Sequence, residues 1–368
     1  MFDKNIYDKY KIEEIDKLVD SYRNVFNNIE NDYNAGISIY GIGFVGSYAI
    51  DYLSSLNIKI NYLIDRDKNK IGTKINGIEV ISPDDSLNKN INSILISARH
   101  AVKPVMEFYK DKLNNLMSFD AYYIIKNYDK IKNISTNEYQ DLKSSIAYNG
   151  VLYSMITGDK NHCLEVMEKD MYFCLPEFSG NFEEIFIDAG AFVGDTVEKF
   201  IIENMGTFKH LYAFEPGDKQ FEAMSIRMER LKKEYAIKDD TVTLVKAGLG
   251  KKTSKMSTIY LDDSPIRHTL SNDNSNNCNV DVFSLDEFLN GKEVTFIKVD
   301  IEGMEYDFLE GAKETIKKYK PKIAICIYHY PCDLHRIFEY IKKIDSTYKF
   351  KFRHHAPLIG DFVLYCYH

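Results

Sequence analysis

The sequence predicts an α/β protein whose C-terminal part is a seven-stranded doubly wound sheet, preceded by a smaller Rossmann-like βα domain and a helical linker. Short apolar runs alternate with helical patterns in both parts, which is typical of parallel sheets. The chain has 368 residues, a length that suits two domains better than one. The predicted segments are an N-terminal helix at 1–35, a Rossmann-like nucleotide-binding domain at 36–125, the helical linker at 126–180 and the larger α/β domain at 181–368.

The composition excludes several classes of protein. The net charge of −8 makes nucleic acid a poor partner, because no block of Lys and Arg with interleaved aromatic residues offsets it. No apolar run is long enough to span a bilayer, and the N-terminus lacks the pattern of a signal peptide. The six cysteines have neither CxxC nor zinc-ligand spacing. We interpret them as reduced thiols and expect a cytoplasmic protein of undetermined oligomeric state.

The first glycine-rich turn is GIGFVG. Its glycines, Gly41, Gly43 and Gly46, follow the apolar run ISIY and open a helix, and Asp65 ends the next apolar run. Amides at a helix start can hold a diphosphate, and an acid at such a strand tip can hold a ribose. We therefore predict a second nucleotide site here, for a nucleotide sugar or a related ligand. A scaffold without a ligand is an almost equal alternative, and NAD is a third.

The second glycine turn, in FIDAGAFVGDT, opens the larger domain. Gly190 and Gly194 leave room for a ligand at the backbone, and Glu215 ends the next apolar run, where an acid can accept both hydroxyls of a ribose. The turn lacks the GxGxxG pattern of a pyrophosphate loop, and Asp188 and Asp195 suit a cationic amino acid tail. S-adenosylmethionine, an adenosine ligand without phosphates, meets both conditions. The alternative is a structural turn in which the acids cap a helix.

Motifs along the whole of 181–368 resemble the FkbM family of methyltransferases. They are IDAGAFVGDT, LYAFEP, TFIKVDIEGMEYDFLEGA, KPKIAICIYHYPCDL and FRHH, and the DxEGxE element with its downstream LEGA is the most specific. The resemblance implies the large methyltransferase sheet, S-adenosylmethionine as methyl donor and O-methylation, often of sugars in glycan or natural-product pathways. It also implies contacts to the methionine moiety at the turn, to the ribose at Glu215 and to the adenine near Ala247 and Gly248. The predicted cofactor contacts are Asp188, Gly190, Phe192, Gly194, Asp195, Thr196, Glu215, Ala247 and Gly248.

Methyl transfer to a hydroxyl requires alignment of the donor and a base that removes the hydroxyl proton. Asp300 and Glu302 in VDIEG and His329 in IYHY end neighbouring predicted strands, so we predict that they converge as catalytic residues. Each has a structural alternative, as a helix cap, a partner of backbone amides or a core histidine. Asp300 and Glu302 could also hold Mg²⁺ that binds sugar hydroxyls. Paired carboxylates alone are weak evidence, so we predict no metal site.

The connection at 251–290 is long, and long connections at the ligand edge of a sheet are often functional. We therefore predict that it recognises the acceptor, near Arg267 and His268. The leading prediction is an S-adenosylmethionine-dependent O-methyltransferase whose partner is a small-molecule acceptor, a sugar or nucleotide sugar. The alternatives are an NAD-dependent oxidoreductase built on GIGFVG and a nucleotide-sugar-binding scaffold protein.

Overall fold

The computed structural model describes residues 4–260, 268–271 and 280–368. The chain folds as two compact units. The first comprises Met1–Met167, Tyr330–Cys332 and Ala356–Gly360, and the second comprises Glu168–His329, Asp333–His355 and Asp361–His368. The first unit thus includes both the N-terminal helix and residues 126–167, which the sequence assigns to separate segments.

The first unit contains a six-stranded sheet. Its strands are β1 (Ile37–Tyr40), β2 (Ile60–Ile64), β3 (Lys74–Ile75), β4 (Ile78–Ile81), β5 (Ser93–Ile96) and β6 (Asn115–Ser118). They lie in the order β3-β4-β2-β1-β5-β6, and each neighbouring pair is parallel except β3 with β4. The sequence predicts β1, β2 and β5. It does not predict β3, β4 and β6, which have the sequences KI, IEVI and NLMS.

Helices surround this sheet within the first unit. They are α1 (Lys4–Lys9), α2 (Ile12–Asn31), α3 (Phe44–Ser55), α4 (Pro83–Ser86), α5 (Val102–Tyr109), α6 (Phe119–Lys126), α7 (Tyr128–Asn137), α8 (Leu142–Thr157) and α9 (Asn161–Val166). The N-terminal helix predicted at 1–35 corresponds to α1 and α2, and α2 has an apolar stripe on which Ile15 and Val19 are fully buried. The helix packs against α6, α7, α8 and β6, so its stripe belongs to the core of the first unit.

The second unit contains the predicted seven-stranded sheet. Its strands are β7 (Ile185–Ala189), β8 (His210–Phe214), β9 (Val242–Val245), β14 (Phe296–Val299), β15 (Lys322–Cys326), β16 (Lys349–His354) and β17 (Phe362–Tyr367). They lie in the order β16-β17-β15-β14-β7-β8-β9. β17 is antiparallel to both of its neighbours, and the other pairs are parallel. The strand order reverses between β7 and β14, and ligands of such sheets bind at the carboxyl ends of strands beside a reversal of this kind.

The connection between β9 and β14 forms part of a second, four-stranded sheet in this unit. Its strands are β10 (Gly248–Leu249), β11 (Ser254–Tyr260), β12 (His268–Ser271) and β13 (Val280–Phe283), in the order β10-β13-β11-β12. Arg267 and the side chain of His268, near which we expect acceptor recognition, lie outside the described residues. The helices of the unit are α10 (Asp195–Glu203), α11 (Asp218–Glu234), α12 (Leu285–Leu289), α13 (Glu305–Gly311), α14 (Lys313–Tyr319) and α15 (Asp333–Ile344).

The core of the second unit is rich in phenylalanine. Phe186 on β7 stacks on Phe200 of α10 with ring centroids 4.3 Å apart, and it meets Phe296 of β14 at 4.8 Å. These contacts anchor α10 to the sheet directly behind the second glycine turn. In the described part of the chain, no helix combines the length and the apolarity that a bilayer span requires.

Candidate active site

The turn after β7 approaches the end of β14 closely. Gly190 has a φ of 81°, and a Cβ at this position would overlap the carbonyl oxygen of Asp300. A residue with a side chain would therefore be both strained and sterically blocked. The Gly190 amide donates to the carbonyl of Phe214 at 3.1 Å, so the turn is also tied to the end of β8.

Glu215, the first residue after β8, fixes the shape of this turn. Its Oε2 accepts a hydrogen bond from the amide of Phe192 at 2.9 Å, and its Oε1 accepts one from the amide of Gly217 at 2.7 Å. The residue is almost completely buried. Glu215 therefore ties the glycine turn to the end of β8, and it lines the cavity at this edge of the sheet.

A cavity of about 350 Å³ opens at this edge of the sheet. Its size lies within the usual range for small-molecule sites. Seven of the nine predicted cofactor residues line it, namely Gly190, Phe192, Asp195, Thr196, Glu215, Ala247 and Gly248. The predicted catalytic residues Asp300 and Glu302 line the same cavity. Asp188 and Gly194 are not part of the lining, although both belong to the same strand–turn–helix element.

Asp188 lies beneath the turn rather than on its ligand side. It is fully buried, and its Oδ1 lies 2.9 Å from Nζ of Lys298, its neighbour on β14. Lys298 Nζ also donates to the carbonyl of Gly190 at 2.6 Å. Burial raises the pKa of Asp188, and the ammonium opposes that shift. Burial alone would lower the pKa of Lys298, but the nearby carboxylates raise it above its usual value, so the ammonium stays charged.

The structure brings Asp300, Glu302 and His329 together. Nε2 of His329 lies 3.7 Å from Oδ1 of Asp300 and 3.5 Å from Oε2 of Glu302. On the other side of the ring, Nδ1 lies 3.1 Å from Oε1 of Glu305. Burial acts to lower the pKa of His329, but Glu305, Glu302 and Asp300 outweigh burial and raise the pKa well above its ordinary value. His329 is buried next to the cavity, whereas the two carboxylates line it.

Two tyrosines that the sequence does not single out contact Asp300. The hydroxyl of Tyr172 donates to its Oδ2 at 3.0 Å, and the hydroxyl of Tyr328 donates to its Oδ1 at 3.3 Å. Tyr328 precedes His329 in IYHY, a position that could have suggested its place at the same strand end. Tyr172 falls in the segment predicted as a linker, where no local pattern indicates a site. Further lining residues outside the predicted set include Met171, Pro216, Leu249, Lys298 and Asp361.

Backbone strain is concentrated around the cavity. Four of its lining residues are non-glycine residues with positive φ, which is uncommon and costs about 1–3 kcal/mol each. Their φ angles are 69° for Tyr172, 48° for Phe192, 53° for Glu302 and 44° for Asp361. Strain of this kind persists where the surrounding structure dictates the conformation, and it often marks functional sites.

The first unit holds the other predicted site, at the turn after β1. Oδ2 of Asp65 accepts from the amide of Ile42 at 2.9 Å, and Oδ1 accepts from the amide of Asp67 at 2.9 Å. Gly41 has a φ of 93°, and its carbonyl accepts a hydrogen bond of 2.6 Å from the Ser97 hydroxyl. The predicted residues of this turn therefore lie close together, and their hydrogen bonds are made to backbone groups.

The glycines of this turn also have structural roles, because two of them are packed against other atoms and the third begins a helix. A Cβ at Gly46, in the first turn of α3, would overlap the carbonyl oxygen of Gly41, and Gly43 is the N-cap of that helix. A Cβ at Gly41 would come within 2.7 Å of the Cβ of Ala98. The glycine pattern therefore has a structural explanation, and a second nucleotide site here stays a prediction.

Comparison with known proteins agrees with the fold. Residues 188–352 match the family model described as a methyltransferase FkbM domain. The crystal structure of the methyltransferase FkbM from Methylobacillus flagellatus KT is similar over 96% of this chain and 98% of its own, with 21% identity and a TM-score of 0.58. At this identity the likeness shows a shared fold, and it extends over both units.

Two further structures are similar to part of the chain. An rRNA methylase from Streptococcus thermophilus matches 50% of this chain and 87% of its own at 16% identity and a TM-score of 0.32. A putative methyltransferase from Streptococcus mutans in complex with SAH matches 51% and 89% at 14% identity and a TM-score of 0.31. No curated protein matches the chain. Residues 188–352 are therefore the part of the chain that matches the methyltransferase FkbM domain.

Proposed function

We propose that the protein is an S-adenosylmethionine-dependent O-methyltransferase. Its acceptor would be a hydroxyl of a small molecule, a sugar or a glycan or natural-product precursor. One observation carries this proposal: a single cavity is lined both by the glycine turn with Glu215 and by the carboxylates of Asp300 and Glu302. A donor site and a proton acceptor are the two elements that methylation of a hydroxyl needs in one space.

The residues of the turn fit the methyl donor. Glu215 lines the cavity at the end of β8, a position where a carboxylate can accept from ribose hydroxyls. Asp195 offers a carboxylate to the cationic tail, and Ala247 and Gly248 line the cavity where an adenine would need close backbone approach. When bound, S-adenosylmethionine would supply an activated methyl group on a sulfonium sulfur. The chain's own residues would then align the donor and remove the acceptor's proton.

Glu302 is our candidate for the base. It lines the cavity, and 33% of its side chain is exposed, which leaves the carboxylate accessible to an acceptor hydroxyl. Asp300 already accepts from two tyrosine hydroxyls, and His329 is buried behind the lining. In the proposed step, Glu302 takes the hydroxyl proton as the acceptor oxygen bonds to the methyl carbon. The carbon–sulfur bond breaks, and its electron pair stays on sulfur.

Other features support parts of the proposal. The cavity of about 350 Å³ has the size of a small-molecule site. None of the five described cysteines forms a disulfide, which is consistent with a reducing compartment such as the cytoplasm. The first unit could additionally hold a nucleotide sugar, since Nζ of Lys70 lies 3.3 Å from the carbonyl oxygen of Ile42 and offers a cation at the GIGFVG turn.

A methyl-transfer assay tests the proposal. The purified protein would be incubated with S-adenosylmethionine labelled in the methyl group and a panel of sugars and nucleotide sugars. Glu302→Gln should lower kcat by at least about 100-fold and leave the affinity for S-adenosylhomocysteine unchanged, because the amide cannot accept the proton. Glu314→Gln, on an exposed position of α14, is the matched control. Labelling of amine acceptors alone would contradict O-methylation.

A further inference from the structure

We propose that Asp300, Glu305 and His329 bind one divalent metal ion, and that this ion holds the acceptor oxygen during methyl transfer. The metal ion would belong to the proposed active site, and its role in methyl transfer rests on the proposed function. Binding of the ion itself does not depend on it. The DxEGxE element supplies Asp300 and Glu305, and IYHY at the end of the neighbouring strand supplies His329.

The spacing of the three side chains suits a shared ion. One donor atom from each of Asp300, Glu305 and His329 lies within 4.8 Å of the other two. Ligands about 2.0–2.2 Å from one ion are roughly 3–4 Å from each other, so only a small adjustment would be needed. The 3.7 Å between Nε2 of His329 and Oδ1 of Asp300 exceeds a hydrogen bond but is typical of two ligands of one ion.

Glu305 provides an independent indication. It is fully buried, and its Oε1 accepts from the amide of Ile301 at 2.9 Å and lies 3.1 Å from Nδ1 of His329. Its Oε2 is also buried, and within the described part of the chain no donor reaches that oxygen. A buried carboxylate oxygen without a donor is costly, and coordination to a cation would satisfy it.

The charge balance favours a cation at the same place. Three carboxylates, those of Asp300, Glu302 and Glu305, surround a single imidazole, so they outnumber it even when it is protonated. The hydroxyls of Tyr172 and Tyr328 donate to Asp300 without adding charge. Lys298, the cation beneath the turn, is paired with Asp188. A divalent ion would offset the repulsion among the carboxylates.

The donor atoms indicate which ions fit. One imidazole nitrogen with two carboxylate oxygens suits Mn²⁺, Fe²⁺, Co²⁺ or Zn²⁺ better than Mg²⁺ or Ca²⁺, which prefer oxygen ligands alone. The sequence alone suggests only Asp300 and Glu302 as a weak Mg²⁺ pair. The structure adds His329 and Glu305 to Asp300, and these two side chains change the expected ion.

The position of the ion defines its role and the class of acceptor. Asp300 lines the cavity, so open coordination positions would face the space where the acceptor binds. A metal-bound hydroxyl is more acidic and transfers its proton to Glu302 more readily. Its oxygen then bonds to the methyl carbon as the carbon–sulfur bond breaks and the electron pair remains on sulfur. If more than one coordination position is open, the ion would favour acceptors with neighbouring oxygens, such as a vicinal diol or an α-hydroxy carbonyl compound.

Titration of the full-length, chelator-treated protein with CoCl₂ tests the site without donor or acceptor. We expect one Co²⁺ per chain, visible as ligand-field absorption. His329→Gln and Glu305→Gln should each weaken binding by at least about 100-fold, because each removes a donor atom. Asp361→Asn removes a carboxylate from the same cavity but outside the three ligands, and it should change the affinity by less than about 3-fold.

Binding of S-adenosylhomocysteine to each variant serves as the folding control, and Asp300→Asn replaces any variant that fails it. Absence of Co²⁺ binding to the wild-type protein would overturn the metal site, and so would unchanged affinity in the ligand variants. If the protein binds S-adenosylhomocysteine but does not bind Co²⁺, the metal site is wrong and the proposed function stands. If Co²⁺ binds and S-adenosylhomocysteine does not, the proposed function falls instead.

Discussion

Both units contain a glycine turn after a central strand, Gly41 after β1 and Gly190 after β7. Both glycines have positive φ, and each amide donates to the last carbonyl of the adjacent strand, β2 or β8. The acid that follows this strand, Asp65 or Glu215, accepts from one amide of the turn and from the amide two residues beyond itself. The longer side chain of Glu215 reaches the second residue after its glycine, whereas Asp65 reaches the first.

The units differ at the strand on the other side of the turn. After β5, Ser97 donates its hydroxyl to the carbonyls of Gly41 and Tyr40. After β14, the corresponding residue is Asp300, which lines the cavity, and the Gly190 carbonyl is bound instead by Lys298 from within the sheet. The glycine carbonyl of such a turn can therefore be bound by the residue that follows the neighbouring strand, as by Ser97, or by a residue within that strand, as by Lys298. In the second arrangement the carboxylate of Asp300 lines the cavity.

The largest effect expected from this difference is at Lys298. Lys298→Met removes the partner of the buried Asp188 and the donor to Gly190, and it should lower the free energy of unfolding by about 3–5 kcal/mol. Ser97→Ala removes a neutral hydrogen bond from the first turn and should cost about 1 kcal/mol. Urea unfolding of both variants measures the two values. Equal losses in the free energy of unfolding would contradict the view that the charged Lys298 stabilises its turn more than the neutral Ser97 does.

The second prediction concerns acid sensitivity in the second unit. Nδ1 of His355 is 3.0 Å from the carbonyl oxygen of Glu168, and Nε2 is 2.9 Å from the hydroxyl of Tyr365. Burial lowers the pKa of His355 to about 4, although its contacts with Glu168 oppose the shift. Between pH 6.5 and 4 the unfolded chain therefore binds a proton that the folded chain does not.

Protonation of His355 in the unfolded chain should therefore lower the free energy of unfolding by about 3 kcal/mol as the pH drops from 6.5 to 4. His355→Gln removes the titrating group, so the variant should lose less stability than the wild-type protein over the same range. Urea unfolding at several pH values measures the difference. Parallel pH profiles for the two proteins would contradict the prediction.

The smallest effect concerns Asp300, the counterpart of Ser97. Tyr172→Phe removes the 3.0 Å hydrogen bond to Asp300 and should cost about 1 kcal/mol, seen as a fall of roughly 2–4 °C in Tm. Tyr328→Phe removes the longer, 3.3 Å bond and should cost no more. A loss several times larger in either variant would mean that Asp300 mainly stabilises the fold.

The sequence predicts features that are local. All seven strands of the larger sheet are recognisable because each is an apolar or alternating run that ends at or near a glycine, an acid or a histidine. Glycine turns and the acids that follow them, such as Glu215 and Asp65, are local in the same sense. The convergence of Asp300 and His329 also follows, because their strands are neighbours in the predicted fold.

Features that depend on register or on distant segments are not predictable in this way. The sequence predicts that Asp188 faces the ligand. In the structure Asp188 pairs with Lys298 instead, because β7 and β14 place these two residues side by side although they are 110 positions apart in the sequence. Tyr172 reaches Asp300 from a segment without strand or motif signals. The sequence shows Glu305 within DIEGME, but only the structure shows that it is buried against His329.

Calorimetric titration with S-adenosylhomocysteine tests the central claim most directly, namely that the turn of the second unit holds the methyl donor. The wild-type protein should bind one equivalent. Glu215→Gln should weaken binding about 100-fold, or about 2.7 kcal/mol, because the amide accepts fewer hydrogen bonds and carries no charge. Asp65→Asn, the matched change in the first unit, should alter it by less than about 2-fold. Loss of binding in Asp65→Asn with retention in Glu215→Gln would contradict the account.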